Sequence, residues 1–401
     1  MTVRTVICGA GISGLALAHR LAAQGGEVVV VERAPGPRPQ GYMIDFFGPG
    51  LEAVEAMGLL PAFERAAYHY DEGHLVDRNG RPRATLRTKA FSRGPLLNLM
   101  RPDIEAVLRE NLPAEVELRY DTTLTQVANR TDGVTVTLED GTVLQADLLV
   151  GADGIHSTVR RLVFGPEDHY LRYLGLHTAA FTFDAPDVHA TTKHAFCLTD
   201  SVNRQMGFYA LRDGRVATFA VHHSADPTIP DDPRAAIQRA YAGLGWVTPR
   251  ALEQCPPPED IYYDQVAQIE LPEWSTGRVV LLGDAAYAVS LIAGQGASLG
   301  ISGAFLLADQ LAHAPTIERA TAGFQRLWRP VVEDKQRNAR SMARWFLPSS
   351  PTDLRLRRVM LGLTRVPFVM GYITSILAGK NTKLADVMRR PSDTATESAV
   401  V

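Results

Sequence analysis

The sequence predicts an α/β fold in which a mostly parallel sheet hosts an inserted β-sheet and is followed by C-terminal helices. Three observations predict it. A β-branched strand at 2–7 leads through Gly9-x-Gly11-x-x-Gly14 into an apolar helix. From about 171 to 267 that pattern gives way to short alternating strands. It then returns, with a strand at 278–282 and an alanine- and glycine-rich helix over 297–311.

Taken in order, Leu15, Leu17, Ala18 and Leu21 mark the first helix, and a strand at 28–31 completes a βαβ unit. Residues 35–41 form a proline- and glycine-rich loop, and 48–57 read as a helix that Gly58 ends. Asn79-Gly80 between two short runs predicts a hairpin within 74–86. Pro102 suits the first turn of a helix reaching 111, with Asp103 and Glu105 near its positive end. Val134, Val136 and Leu138 alternate up to Asp140-Gly141, and 143–150 runs back as the second arm of a hairpin. In the inserted segment a strand is expected at 179–183, and 205–211 pairs with 215–223 across Asp213-Gly214. A helix at 232–242 interrupts it.

With 401 residues the chain suffices for two domains, or for one large domain carrying an insertion. Its 46% hydrophobic and 21% charged residues are those of a folded globular protein. A net charge of −3 offers no basic field for nucleic acid. Cys8, Cys197 and Cys255 are too few and scattered for a disulfide framework, and neither they nor the 11 histidines show metal spacing. These features, with no signal-peptide pattern at Met1, point to a reducing, cytoplasmic setting. The apolar run 359–377 is broken by Arg365 and Pro367, so no membrane span is expected.

The chemistry begins at the glycines. Gly9 permits a tight turn, Gly11 lets backbone approach a pyrophosphate and Gly14 allows close helix packing, while the helix N-terminal amides, with Ile12 and Ser13, face the phosphates. Glu32, 18 residues beyond Gly14, is placed to accept hydrogen bonds from a ribose, with Arg33 beside it. This fingerprint predicts a dinucleotide but does not choose between NAD and FAD. Two later segments bear on the choice: Asp153-Gly154 with Ser157 and Arg160, and Gly283-Asp284, each an acid at a strand end. Gly294-Gln295-Gly296 and Ala297 then open a helix whose positive end would favour negative charge on a bound ring.

On these motifs the sequence resembles the group A flavoprotein monooxygenases, the para-hydroxybenzoate hydroxylase family, and in particular its bacterial tetracycline-modifying and natural-product branch. The resemblance runs over most of 1–345. It implies a Rossmann-like FAD-binding domain in three parts, 1–73, 101–170 and 268–345, and a substrate domain from the 74–100 hairpin and 171–267. C-terminal helices would occupy 346–391 and a flexible tail 392–401. By the resemblance Glu32 holds the adenosine ribose, Asp284 the ribityl or pyrophosphate region, and Arg101 lies along the flavin. The activity implied is hydroxylation or epoxidation of an aromatic or polyketide-like small molecule in bacterial secondary metabolism. It would proceed through reduced flavin and a flavin hydroperoxide, with NAD(P)H as a transient reductant for which no second fingerprint exists.

Candidate pocket residues are Met43, Asp45 and Phe47 after the proline loop, and either the Met206 and Phe208 stripe or Tyr209 from the inserted sheet. Asp45 is the pocket acid expected to orient substrate. No catalytic nucleophile set is present or needed. The sequence departs from the family at Tyr287, Ala288 and Leu291, also beside the flavin, where a histidine and two prolines are usual. That departure keeps a second reading open: a cyclase or isomerase that binds FAD without net redox change. Substrate identity and oligomeric state are not readable from the sequence.

Overall fold

A computed structural model of the chain describes residues 3–70, 72–87, 95–362 and 382–389. The expected tail at 392–401 lies outside them, as does most of the expected helical region beyond Gly362. Among the described residues no helix is long and apolar enough to cross a membrane.

The core is a six-stranded sheet. Its strands run Ser275–Thr276, Val279–Leu281, Leu148–Gly151, Arg4–Cys8, Glu27–Val31, Glu117–Arg119, parallel throughout except for the first pair. The central strands are unbroken apolar runs because both faces are packed, with helix Ile12–Ala23 against them and the three-stranded sheet of Leu124–Asn129, Val134–Leu138 and Val143–Ala146 sharing their core. Val6, Ile7, Val30, Leu149, Val150, Val280 and Leu281 are all buried. Parallel pairing has a functional consequence. The carboxyl ends at Cys8, Val31, Gly151 and Leu281 all point the same way, so Gly9, Glu32, Asp153 and Asp284 emerge along one edge.

The inserted sheet has eight strands. In order they are Tyr262–Ile269, Leu171–Ala180, Val216–His223, Arg204–Ala210, Ala195–Ser201, Glu72–Val76 and Pro82–Arg87, with Thr182–Phe183 pairing off Val216–His223. Helices Pro186–Thr192, Pro233–Tyr241 and Thr248–Glu253 flank it; Val188, Ile237, Tyr241 and Ala251 fill one apolar cluster with Met206 and Phe208. The helix Pro186–Thr192 was not legible as such: Pro186 and Asp187 mark a start, but the seven residues are too few to show an apolar period.

Two expected pairings differ. The run 143–150 is split at Asp147: Val143–Ala146 pairs back onto Val134–Leu138, while Leu148–Gly151 enters the six-stranded sheet. Asp147 also accepts from the Arg4 backbone N–H at 2.8 Å, which joins the two sheets at the break. Within 74–100, the hairpin joins the inserted sheet, but Leu96–Met100 pairs instead with Met43–Phe47 in a two-stranded ribbon.

Helix Gly296–His313 packs on the first helix, Ile12–Ala23, and the 30-residue helix Ile317–Phe346 packs on it in turn. The next helix, Pro351–Gly362, is fastened to the inserted sheet by charge. Asp200, whose side chain is wholly buried, takes Arg357 on one oxygen and Arg358 on the other, the latter at 2.6 Å. Arg357 also donates to the Phe346 carbonyl at 2.7 Å. Removing the acid would leave two guanidinium groups without their shared counter-ion. Asp200→Ala is therefore expected to lower stability by about 3 kcal/mol, read as a fall in the urea midpoint.

Candidate functional site

Two of the three fingerprint glycines are forced by contact. Gly9 has φ +109°, and a Cβ there would lie 2.4 Å from the Ala152 carbonyl oxygen; one on Gly14 would lie 1.9 Å from the Gly9 carbonyl oxygen. A Cβ on Gly11 would instead meet only Glu105, at 3.7 Å, so that turn stays open to a ligand. Ser13 is wedged between helices, its Oγ filling the space left by Gly283 and Gly300. Ile12 and Ala297, in the first turns of the two helices, are half-buried. Glu32 accepts from the backbone N–H of Ala10 at 2.9 Å and of Ala34 at 2.8 Å, which fixes its carboxylate beside the fingerprint turn. Arg33 is exposed.

A recess lies between this edge and the inserted sheet. Asp45 and Asp284 have exposed side chains, yet protein surrounds both closely enough for desolvation to raise their pKa. Accessible surface combined with enclosure is the mark of a group at the floor of a cleft. For Asp284 the Arg101 charge opposes the rise and Asp264 adds to it. For Asp45 the opposition comes from Asn98, its cross-strand neighbour, which donates at 2.6 Å.

Arg101 begins the helix Arg101–Glu110, and its guanidinium is ion-paired with Glu105 one turn on, at 2.8 Å. Burial works against its charge, but Glu105, Tyr42, Tyr262 and Asp284 together raise its pKa, while burial raises the Glu105 carboxyl despite Arg101. The pair is therefore costly to desolvate and held by its surroundings. The Arg101 N–H donates to the Tyr42 carbonyl at 3.0 Å, tying this helix to the strand Met43–Phe47.

The walls are aromatic. Tyr42 lies 5.3 Å from Phe219 and 5.4 Å from Tyr262, ring centre to ring centre. Burial pushes the Tyr42 hydroxyl up to about 12, so it stays a proton donor at neutral pH. Phe219, Tyr262, Asp264 and Tyr42 were not singled out from sequence, and Glu105 was read there only as an acid near the positive end of its helix. Tyr262 and Asp264 stand two apart on a strand and so share a face, and Glu105 follows Arg101 by four; Phe219 carried no signal.

Several candidates belong elsewhere. Met206 and Phe208 are buried in the helix-covered cluster, with Phe208 edge-on to Trp246 at 5.3 Å, so that stripe faces away from the recess. Tyr209, on the opposite face, is also covered; its hydroxyl accepts from the Met43 N–H at 2.9 Å and supports Met43–Phe47 from behind. Met43 and Phe47 are half-buried on that strand. Tyr287 does not line the recess: it is 2% exposed, its ring tilted against Trp274 at 4.6 Å between centres, with its hydroxyl against Gly303. A tyrosine fits there because Gly303 leaves the room. Leu291 packs in the apolar cluster that also holds Phe219 and Leu347.

Arg160 is fully buried and donates to the carbonyls of Ala285 at 2.9 Å and Ile155 at 2.6 Å and to Glu167 at 2.7 Å. Its guanidinium braces the two acid-bearing loops and does not reach the recess. Asp153 accepts from Ser157 Oγ at 2.5 Å and the Val159 N–H at 3.1 Å, at the start of the helix Thr158–Val163.

His156 joins this loop to the inserted sheet, with Glu167 at 2.8 Å on Nδ1 and Asp264 at 3.4 Å on Nε2. The hydrogen bond to Asp264 raises its pKa to about 9 against burial, with Glu167 helping, so the ring is cationic at neutral pH. A raised folded pKa stabilises fully below the unfolded value of about 6.5, and that support is lost as pH rises through about 9. The melting temperature of wild type should exceed that of His156→Gln at pH 6, and the gap should close by about pH 10. The ring is partly exposed, so screening keeps the gap small.

The chain matches the family model described as FAD binding domain over residues 2–326. It is 36% identical over 319 residues to the uncharacterized protein Rv1260 of Mycobacterium tuberculosis, covering 76% of this chain and 84% of that one. It is 30% identical over 425 residues to the flavin-dependent monooxygenase eupH of Phoma sp, covering 96% of each. Among solved structures it resembles the tetracycline destructase Tet(55), with a TM-score of 0.79, 24% identity and coverage of 95% and 99% of the two chains.

Proposed function

We propose, because the chain belongs to the FAD binding domain family and within it to the flavin-dependent monooxygenases, that it uses NAD(P)H and dioxygen to oxygenate a flat aromatic or polyketide-like small molecule. The observation that carries the reading is the recess itself. Its floor holds Asp284, Arg101 and the start of helix Gly296–His313, and its wall holds Tyr42, Phe219 and Tyr262. FAD supplies, when bound, the hydride acceptor and the centre that activates oxygen.

The chain's own residues supply placement. The turn at Gly9, Gly11 and Gly14, with Ile12 and Ser13, would face the pyrophosphate, and Glu32 with Arg33 the adenosine. Arg101, braced by Glu105, would donate to cofactor oxygens, and Asp284 would accept from the ribityl chain. The amides at Gln295, Gly296 and Ala297 sit at the positive end of an 18-residue helix, favouring negative charge on the ring system, while the Gly294 N–H is held by the Leu291 carbonyl at 2.9 Å and shapes the turn before them. Asp153 and Arg160 would act indirectly, by shaping and bracing the loop beside the fingerprint. Aromatic walls exclude water and take the faces of a flat substrate, while Asp45, oriented by Asn98, would accept from a substrate hydroxyl or amine. The setting proposed is the cytoplasm of a cell making or modifying secondary metabolites.

The test is anaerobic mixing of the purified protein with NADPH and then NADH, with and without candidate phenolic substrates, following oxidised flavin absorbance. Bleaching, then oxygen-dependent return with product formation, is the expected result. Substrate conversion with the flavin persistently oxidised and no oxygen consumed would overturn the redox reading in favour of a cyclase.

A further inference from the structure

The turn 288–293 joins the buried Tyr287 to the N-terminus of helix Gly296–His313, and it is built against its own backbone preference. Ser290 has φ +74° and ψ +153°, a region that only glycine enters freely. Gly294 follows at φ +61°. The sequence places no proline in this turn to hold it.

Two buried amide side chains stand there instead. Gln336 Nε2, from the long helix, donates to the Ala288 carbonyl at 3.1 Å and to the Ile269 carbonyl at 2.8 Å. Gln268 Nε2, from the neighbouring strand, donates to the Val289 carbonyl at 3.0 Å and to the Gln336 carbonyl at 3.0 Å. Its Oε1 is fixed by Arg340 at 2.7 Å, and Arg340 in turn by Glu270 at 2.9 Å. Gln268 is 0% and Gln336 6% exposed, so these donors do not exchange readily with water. The Ile269 N–H adds a bond to the Ala288 carbonyl at 3.1 Å, and Tyr287 is clamped on Trp274 just before the turn.

We propose that Gln268 and Gln336 are positioning residues that hold the turn 288–293, and through it the N-terminal amides of helix Gly296–His313, at a fixed depth against the flavin. The inference rests on the flavin reading of that helix end. It assigns to two remote glutamines the stiffness that prolines would otherwise give a turn by fixing φ.

The variant Gln336→Met keeps the side-chain length and removes both donors. The first measurement is hydrogen exchange of the Ala293 and Gly294 amides, bonded to Ser290 and Leu291, in the FAD-loaded protein. The second is the reduction potential of the bound flavin. Exchange should quicken about tenfold, since lost hydrogen bonds let the turn open locally. The potential should move to more negative values as the helix end recedes. Adding Ala288→Pro should reverse both, because Ala288 already has φ −46°, close to what proline imposes.

Exchange and potential both unchanged in Gln336→Met would overturn the proposal. Faster exchange with an unmoved potential would overturn it too, leaving the glutamines a role in packing alone. Should Gln336→Met not fold, Gln268→Met is read in the same way. Neither measurement needs turnover, so both stay readable even if NAD(P)H fails to reduce the flavin.

Discussion

Gly14→Ala is expected to yield a purified protein nearly without FAD, its affinity lowered by about ten- to a hundredfold. The reason is space. The new methyl group would sit 1.9 Å from the Gly9 carbonyl oxygen, a backbone atom that cannot turn aside, so the helix Ile12–Ala23 must lift from the turn. Overpacking of this kind costs about 1 to 3 kcal/mol, and each 1.4 kcal/mol taken from cofactor binding is about tenfold. Gly25→Ala is the control. Gly25 has φ +82°, so alanine there is strained, but nothing lies within 4 Å of the added carbon. That variant should lose about 1 kcal/mol of stability and keep its flavin. Flavin absorbance per protein after gel filtration, with a urea midpoint for each variant, separates the two. A yellow Gly14→Ala protein with wild-type affinity would overturn the account.

The fingerprint was legible because every constraint on it is local. A strand, a turn that only glycine can make and a helix follow one another between Arg4 and Ala23, and Glu32 closes the next strand. Asp153 and Asp284 were legible for a related reason: an acid at the end of an apolar strand marks the ligand edge of a parallel sheet, whatever its partners. What failed needed information from far along the chain. Alternation at Met206, Phe208 and Tyr209 gives two faces but not which one the helices cover, and Ile237, Tyr241 and Trp246 decide that. Tyr287 was expected in the pocket because the family resemblance puts its position beside the flavin, yet Trp274 and Gly303 open a slot for it on the core side. Asp147 divided a run that hydropathy read as continuous, because its carboxylate bonds to Arg4 across 143 residues of sequence.

Arg101→Met tests the other half of the site, and here two effects must be parted. The variant removes a donor proposed to serve the cofactor and also strands Glu105, whose side chain is 8% exposed and would lose its counter-ion. Breaking such a pair from one side costs about 3 kcal/mol, so the single variant should be both less stable and poor in FAD. The double variant Arg101→Met with Glu105→Gln removes the stranded charge and should recover most of the stability. If Arg101 serves the cofactor directly, the double variant stays about a hundredfold weaker for FAD, in line with the loss of a charge-assisted hydrogen bond in an enclosed site. If Arg101 only balances Glu105, flavin content returns with stability. A urea midpoint and an FAD titration on the same three proteins decide between them: the pair belongs to the fold if the two curves recover together, and to the site if only the first does.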